Sequence, residues 1–128
     1  MTQTNFKPGF SSETFTPDLL IAGDHPLRFV EVTVVSGQNR KRGDLLGKIT
    51  TGGKVNLSLA AAEDGSQVPY GILMEDVDAS GGDKKGVAYI AGDFNANAMV
   101  FGTGHTAASV RDGMAAKSIY IVTPVPAV

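Results

Sequence analysis

Residues 29–37, with the sequence FVEVTVVSG, alternate apolar and polar side chains, and this period of two limits the possible folds more than any other feature of the chain. Val30, Val32 and Val34 fall on one side of an extended backbone, and the polar residues between them fall on the other. Successive side chains of a β-strand point to opposite faces, so the pattern is typical of a strand with one buried face. The chain is therefore expected to build its core from a sheet.

Further strands are predicted on both sides of a glycine turn at residues 51–53. LLGKIT precedes the turn and KVNLSLA follows it, which is the arrangement of a β-hairpin. In the second run Val55, Leu57 and Leu59 are expected on one face, whereas Ser58 points the other way.

Three more strands are predicted from VPYGILMEDV, GVAYIAG and SIYIV, which are separated by turn sequences. In the first of them, Tyr70, Ile72 and Met74 are expected to share one face. Gly71 permits a bulge or a close approach of another backbone segment.

Residues 105–117, HTAASVRDGMAAK, form the one predicted helix. Thr106 can cap its first turn, and Val110 and Met114 lie one turn apart on the same face. Gly113 weakens the helix by about 1 kcal/mol relative to alanine. The predicted fold class is mainly β with one short helix, in a compact β-barrel or β-tulip-like domain that carries an extended N-terminal arm.

The first 18 residues form a separate unit, rich in Thr, Ser, Asn and Pro and without a period of two or 3.6. Three of the six phenylalanines of the chain lie there, which is more aromatic character than a plain flexible tail usually has. We predict a flexible docking arm over residues 1–18 and a single β-rich domain over residues 19–128. The residues expected to make the contacts of the arm are Phe6, Lys7, Pro8, Phe10 and Phe15.

Charge and composition argue against several classes of function. A net charge of −2 gives no electrostatic basis for binding nucleic acid, and the absence of cysteine excludes disulfides and thiolate metal sites. The first residues show neither the basic nor the apolar region of a signal peptide, and no apolar run approaches the roughly 20 residues of a membrane helix. We therefore expect synthesis in the cytoplasm and no contact with nucleic acid or membrane.

Three short motifs resemble ligand-binding sequences but lack essential residues. DVDASG at 76–81 matches the start of an EF-hand calcium loop, but Val87 stands where the bidentate glutamate is needed, so a hairpin turn is favoured. The basic run NRKRG at 39–43, which overlaps an RGD tripeptide at 42–44, has no interleaved aromatic residues and is interpreted as a solvated hairpin tip. GTGHT at 102–106 has neither the lysine spacing of a phosphate loop nor the glycine spacing of a dinucleotide fingerprint.

His25 and His105 are the only histidines, and neither lies in a catalytic signature. With two histidines and no cysteine, a zinc site would need carboxylates to complete it. We predict no catalytic residue, no metal site and no cofactor. A small hydrolase that uses His105 with a nearby serine is the weakest of the alternatives.

Residues 61–73, AAEDGSQVPYGIL, combine an acidic turn with a proline and a lone glycine, yet they carry no nucleophile, metal ligand set or phosphate loop. Asp64 and Gly65 turn the chain, Pro69 restrains it, and Gly71 lets the next strand enter the core in a fixed register. We interpret the four residues as a structural turn.

From this junction outward the chain resembles the bacteriophage head decoration family. LIAGDHPLRFVEVTVVSGQ and RGDLLGKIT precede the junction, and VDASGGDKKGVAYIAGDFNANAM and SIYIV follow it in the order of that family. The resemblance implies a mainly β homotrimer, made in the bacterial cytoplasm, that binds the major capsid protein at threefold and quasi-threefold sites on the exterior of an expanded capsid. It also implies that the N-terminal segment becomes ordered against the shell, and that no catalysis or cofactor is involved.

An alternative from another class is a barrel-sandwich carrier domain of the lipoyl or biotinyl kind. RGDLLGKI and GGKV resemble its strands, and Asp83-Lys84 resembles its modified-lysine turn. Lys84 lacks the hydrophobic residues that normally bracket such a lysine. A covalent adduct on Lys84 would favour the carrier, and an unmodified 13.3 kDa chain would favour decoration.

Overall fold

The computed structural model describes residues 19–123. Within them the strands are β1 Arg28–Val34, β2 Asn39–Arg40, β3 Leu45–Lys48, β4 Val55–Leu57, β5 Pro69–Leu73, β6 Val77–Asp78, β7 Lys84–Asn95 and β8 Ile119–Val122. A 3-10 helix at Ala96–Ala98 and the α-helix α1 at Ala107–Ala115 lie between β7 and β8. The predicted fold class, mainly β with one short helix, is confirmed.

Five of these strands close into a barrel. Neighbouring strands follow the order β1-β4-β3-β5-β7, and β1 pairs with β7 to complete the ring. The β1–β4 pair is parallel and the other pairs in the ring are antiparallel. Closure gives every strand of the ring two hydrogen-bonded neighbours, which removes the exposed edges that an open sheet would have.

The remaining strands extend this ring. β8 pairs in parallel with the second half of β7, and β2 and β6 form a separate two-stranded antiparallel ribbon. Helix α1 packs against β8 and β5. The hairpin predicted around residues 51–53 is present as the antiparallel pair of β3 and β4.

The two faces of the barrel wall each contribute to a hydrophobic cluster. The first cluster contains the predicted β1 face, because Val32 and Val34 are buried in it and Val30 packs against it. The second cluster joins the wall to α1 through Val110 and Met114, as the helical spacing predicted. Its other buried members are Leu20, Leu45, Ile72, Tyr89, Phe94, Ala96, Met99, Ile119 and Ile121.

The prediction that Tyr70, Ile72 and Met74 share one face is wrong. Tyr70 packs against the first cluster, whereas Ile72 and Met74 belong to the second. The register of β3 and β5 shifts here: Leu46 pairs with Gly71, and Gly47 pairs with Pro69, so Tyr70 is an extra residue on β5. Such a β-bulge breaks the alternation of side chains, because two residues on one strand oppose one residue on the other.

The alternation predicted for residues 55–59 is wrong beyond the end of β4. Val55 is buried, but Leu59 is 39% exposed and Ser58 is completely buried. β4 ends at Leu57, so the alternation of a strand does not continue to Ser58 and Leu59.

Helix α1 begins as predicted. The Thr106 hydroxyl accepts a hydrogen bond from the Ser109 backbone N–H at 3.1 Å, and the Ser109 hydroxyl accepts one from the Thr106 N–H at 2.8 Å. This reciprocal capping box satisfies two of the N–H groups that a helix start leaves without a partner.

Candidate functional site

The junction between β4 and β5 is held by a turn around Asp64. The Asp64 carboxylate accepts hydrogen bonds from the Ser66 backbone N–H at 3.0 Å and from the Ser66 hydroxyl at 2.5 Å. The Ser66 hydroxyl, followed by its N–H, lowers the pKa of Asp64 because both stabilise the charged form. Gly65 has a φ of +101°, and a Cβ at this position would lie 2.1 Å from the Thr50 hydroxyl. The turn therefore requires glycine at position 65.

Pro69 and Gly71 lie in β5 and contact two neighbouring parts of the chain, one at Lys117 and one in β7. Pro69 opens β5, and its carbonyl accepts a hydrogen bond from the Lys117 ammonium at 2.6 Å. Gly71 is buried, and a Cβ there would lie 2.7 Å from the Tyr89 carbonyl oxygen of β7. These contacts fit the structural role that we predict for Asp64, Gly65, Pro69 and Gly71.

The structure brings His105 next to Ser58, a serine that the hydrolase alternative would require but that the sequence did not single out. His105 Nε2 lies 3.1 Å from the Ser58 hydroxyl oxygen and 3.1 Å from the Gln67 carbonyl oxygen. A carbonyl only accepts hydrogen bonds, so Nε2 carries the proton. The Ser58 hydroxyl donates its own proton to the Ser66 carbonyl at 2.6 Å.

This arrangement is structural rather than nucleophilic. A general base must present a free nitrogen to the nucleophile, and the nitrogen of His105 that faces Ser58 is protonated. Ser58 is also completely buried. The pair fastens the loop before α1 to the turn before β5, and it leaves the hydrolase alternative without an activated serine.

The two aspartates of the calcium-like motif at residues 76–81 accept hydrogen bonds from different parts of the chain. Asp78 accepts hydrogen bonds from the backbone N–H and hydroxyl of Ser80, at 3.0 Å and 2.6 Å. Asp76 instead accepts from the Arg42 backbone N–H at 2.9 Å. Across residues 19–123 no three His, Cys, Asp or Glu side chains are grouped so that they could hold a metal ion.

The basic run at residues 39–43 is not only a solvated hairpin tip, because Arg42 contacts the rest of the fold. The Arg42 guanidinium donates to the Met74 carbonyl at 2.6 Å and lies 5.7 Å from the centre of the Tyr89 ring. Asp44 is only 4% exposed, and burial raises its pKa against the opposing effect of its hydrogen bond from the Lys41 N–H. Because Gly43 and Asp44 are buried, the RGD tripeptide is closed to a receptor.

The carrier-like lysine is exposed and comes shortly after the turn at residues 80–81, but it already belongs to a strand. Lys84 is the first residue of β7 and pairs with Val34 of β1. Its neighbour Asp83 forms a salt bridge with Lys54 at 2.5 Å, and this contact lowers the pKa of Asp83. Lys84 therefore lies at the start of a paired strand and not at the tip of the turn, which weakens the likeness to a modified-lysine turn.

A groove of about 280 Å³ runs between α1 and the segment that leads into β5. Val68 and Pro69 line one wall, and Val110 and Met114 line the other. The Lys117 ammonium stands at the rim, and among residues 19–123 it forms no salt bridge with a carboxylate.

Large apolar side chains are exposed on the outer surface of the barrel. Phe29 is 61% exposed, Leu27 is 41% exposed and Tyr120 is 40% exposed. The His25 ring meets the Tyr120 ring edge-on, with 5.0 Å between their centres. Only contiguous apolar patches mark contact surfaces, and singly exposed apolar side chains are common on soluble proteins.

The predicted arm residues Phe6, Lys7, Pro8, Phe10 and Phe15 lie outside the described residues, so their contacts remain a prediction. Within residues 19–123 no helix is long and apolar enough to cross a membrane.

The closed ring of strands and the hydrogen-bonded turns beside it define a mainly β barrel domain. Residues 10–119 match the family model of the bacteriophage lambda head decoration protein D. The match spans most of the chain, so the protein belongs to this family, and the resemblance noted from the sequence is confirmed. No curated protein matches the chain. The family is a structural one, and its members decorate the phage capsid, which makes the virion capsid the location of this protein.

Proposed function

We propose that the protein decorates an expanded phage capsid as a homotrimer at the threefold and quasi-threefold sites, and that residues 1–18 of each chain bind the major capsid protein. The observation that carries this proposal is the family match over residues 10–119. That match includes Phe10 and Phe15, so part of the arm belongs to the region that the family shares.

The barrel supports this role as a rigid body. Its strands close on themselves, and the Asp64 turn together with the buried hydrogen bond of Ser58 holds the loops beside the helix. A rigid body loses little conformational freedom on binding, so the cost of ordering falls mainly on the arm. The exposed side chains of Leu27, Phe29 and Tyr120 offer apolar area for contacts between proteins.

The energetics of the arm favour several copies binding together. Burying one phenylalanine ring contributes roughly 1.5–3 kcal/mol, whereas ordering the backbone costs about 1 kcal/mol or more per residue. A single arm therefore binds weakly. In a trimer the first bound arm raises the effective concentration of the other two, so three arms bind well.

The arm gains main-chain hydrogen bonds if it adds an extended strand to an exposed edge of the shell. An edge that is created only when the shell expands would explain binding to the mature shell and not to its precursor. Clamping neighbouring shell subunits would oppose the outward pressure of packaged DNA.

Deletion of residues 1–18 tests this proposal. We expect the shortened chain to keep its circular dichroism spectrum and its trimeric mass, and to lose co-sedimentation with expanded phage shells. The full chain is expected to co-sediment with expanded shells and not with unexpanded ones.

A matched pair of full-length variants separates the rings from the backbone of the arm. Replacing Phe6, Phe10 and Phe15 together by alanine is expected to abolish binding to expanded shells. Replacing Thr4, Ser11 and Thr16 together by alanine is expected to preserve it. Undiminished co-sedimentation of the phenylalanine-free variant would contradict the proposal.

A further inference from the structure

The groove beside α1 is large enough for one apolar side chain from outside the barrel. Val110 and Met114 on its α1 wall are buried, whereas Val68 on the opposite wall is 55% exposed. The volume of the groove is about 280 Å³, and an apolar cavity of roughly 150 Å³ already holds a benzene molecule. A leucine or phenylalanine side chain therefore fits, and its entry would cover Val68.

Two hydrogen bonds hold the walls of the groove in place. Just after α1, the Lys117 ammonium donates to the Pro69 carbonyl at 2.6 Å. Just before α1, the protonated Nε2 of His105 donates to the Gln67 carbonyl at 3.1 Å. The segment that leads into β5 is thus tied to the chain on both sides of the helix. A site that is formed before binding loses little conformational freedom when it is filled.

We propose that this groove binds one apolar side chain of the major capsid protein, from a segment in which that side chain is next to a carboxylate. The inference rests on the proposed function, because it takes the shell as the partner. It adds a contact between the barrel and the shell to the contacts of the arm.

The groove lies near the point where the arm leaves the barrel. The carbonyl of Ser118, which follows Lys117, accepts a hydrogen bond from the Gly92 N–H of β7 at 3.0 Å. Three residues further along β7, the Asn95 N–H donates to the Leu20 carbonyl at 2.8 Å. A strand rises about 3.3 Å per residue, so the rim of the groove and the start of the arm are roughly 10 Å apart along β7. A shell that binds the arm is therefore close to the groove.

Charge defines what stands beside the bound side chain. The residues that line the groove include no aspartate or glutamate, and the Lys117 ammonium at its rim forms no salt bridge within residues 19–123. The bond to Pro69 uses one of the three protons that an ammonium can donate. A carboxylate of the partner can accept a second proton, whereas a cation would be repelled. Because an exposed ion pair adds little affinity, the carboxylate selects the segment and the apolar side chain supplies the binding.

Blocked dipeptides test the chemistry of the groove in the free full chain. The probes are acetyl-Phe-Glu amide, acetyl-Phe-Gln amide and acetyl-Phe-Lys amide, and NMR follows the amide signals of Gly104 and Gly113, which line the groove. We expect saturable shifts for the glutamate peptide. Its dissociation constant should be about two- to five-fold smaller than that of the glutamine peptide, and the lysine peptide should bind most weakly.

Two substitutions separate the charge from the apolar space. Lys117→Gln keeps an N–H donor for the Pro69 carbonyl, and it is expected to make the three dipeptides bind equally well. Gly113→Leu fills the groove, because a Cβ at this position meets no atom within 4 Å, and it is expected to abolish the shifts at Gly104. Ala108→Leu is the control, because Ala108 is exposed on α1 and does not line the groove.

The same variants test whether the capsid protein is the occupant. Full chains that carry Gly113→Leu or Ala108→Leu are titrated against expanded phage shells in a sedimentation assay. We expect Gly113→Leu to weaken binding at least about ten-fold, because a trimer loses three linked contacts at once. Ala108→Leu is expected to bind as the unchanged chain does. Circular dichroism of both variants checks that the fold is retained.

The proposal would be overturned if no dipeptide gave a saturable shift, or if their order of affinity were unchanged in Lys117→Gln. It would also be overturned if Gly113→Leu bound shells as tightly as Ala108→Leu. In that last case, loss of binding on deletion of residues 1–18 would still support the proposed function of the arm. If the full chain bound no shell at all, the proposed function would fail, and the capsid protein would be ruled out as the occupant with it.

Discussion

Gly71 controls how closely β5 approaches β7. A Cβ at this position would lie 2.7 Å from the Tyr89 carbonyl oxygen, and backbone atoms in a closed barrel have little freedom to move away. We expect Gly71→Ala to lower the free energy of unfolding by about 1–3 kcal/mol, as overpacking of a core does. Gly81→Ala is the control: a Cβ there meets no atom within 4 Å, and we expect a change within about 0.5 kcal/mol. Urea unfolding of the two variants measures both values, and equal midpoints would contradict the assignment.

Asp64 and Asp78 accept the same pattern of hydrogen bonds, so one can serve as the control for the other. In each case a serine two positions later donates both its hydroxyl and its N–H to the carboxylate, and the pKa of the aspartate is lowered. We expect Ser80→Ala to raise the pKa of Asp78 toward its usual value and to leave the pKa of Asp64 unchanged. Titration of the carboxyl carbons by NMR measures both in one sample.

The sign of the effect on stability follows from the direction of the pKa shift. A carboxyl group with a lower pKa in the folded state stabilises the fold above its unfolded pKa, and this contribution is lost as the pH falls through the folded pKa. Ser80→Ala should therefore reduce the dependence of stability on pH in the acidic range only. If the effect of Ser80→Ala on the free energy of unfolding depended on pH near neutrality, a group other than Asp78 would be responsible.

Helix α1 contains a glycine, Gly113, that lowers its stability. Gly113 is exposed within the helix, and a Cβ there meets no atom within 4 Å. Since alanine is favoured over glycine in a helix by roughly 0.8–1 kcal/mol, we expect Gly113→Ala to raise the free energy of unfolding by about that amount. The reverse change at an exposed position of the same helix, Ala108→Gly, should lower it by a similar amount. Thermal unfolding of both variants provides the test, and shifts of the same sign would refute it.

The elements themselves were largely predictable from the sequence. The period of two gave β1, the glycine turn gave the β3–β4 hairpin, and the capping threonine with Val110 and Met114 gave α1. β7 was underestimated, because GVAYIAG covers 86–92 whereas the strand spans Lys84–Asn95. The additional residues are polar or charged at the start of β7 and are held by pairing with β1 at one end and β8 at the other, contacts that local periodicity does not record.

Details of the site that depend on distant contacts were not predictable. The bulge at Tyr70 arises from its pairing with β3, and an alternating pattern cannot show which strand carries an extra residue. Ser58 is buried because His105 and the Ser66 carbonyl satisfy its hydroxyl, and both partners come from other loops. The groove likewise needs α1 and the start of β5 to meet, so no single segment encodes it.

At the scale of the whole molecule, the proposed trimer makes the number of arms the main determinant of capsid binding. The barrel holds each arm at a fixed origin, because Leu20 is buried and its carbonyl accepts a hydrogen bond from the Asn95 N–H at 2.8 Å. Three arms that start from fixed points on one body can engage neighbouring sites at once. Linked binding of this kind exceeds the affinity of a single arm by roughly 10²–10⁴-fold without any new contact.

Mixed trimers measure directly how the affinity for the capsid depends on the number of arms. Full chains are combined with chains that lack residues 1–18, trimers with one, two or three arms are separated by mass, and each is titrated against expanded shells. Every species is expected to sediment as three chains, each full chain having a mass of 13.3 kDa. The dissociation constant should fall by a large factor with each added arm, because every further arm binds as an intramolecular event. If affinity instead rose only in proportion to the number of arms, the arms would act independently, and binding would have to be attributed to the barrel surface around Phe29 and Tyr120.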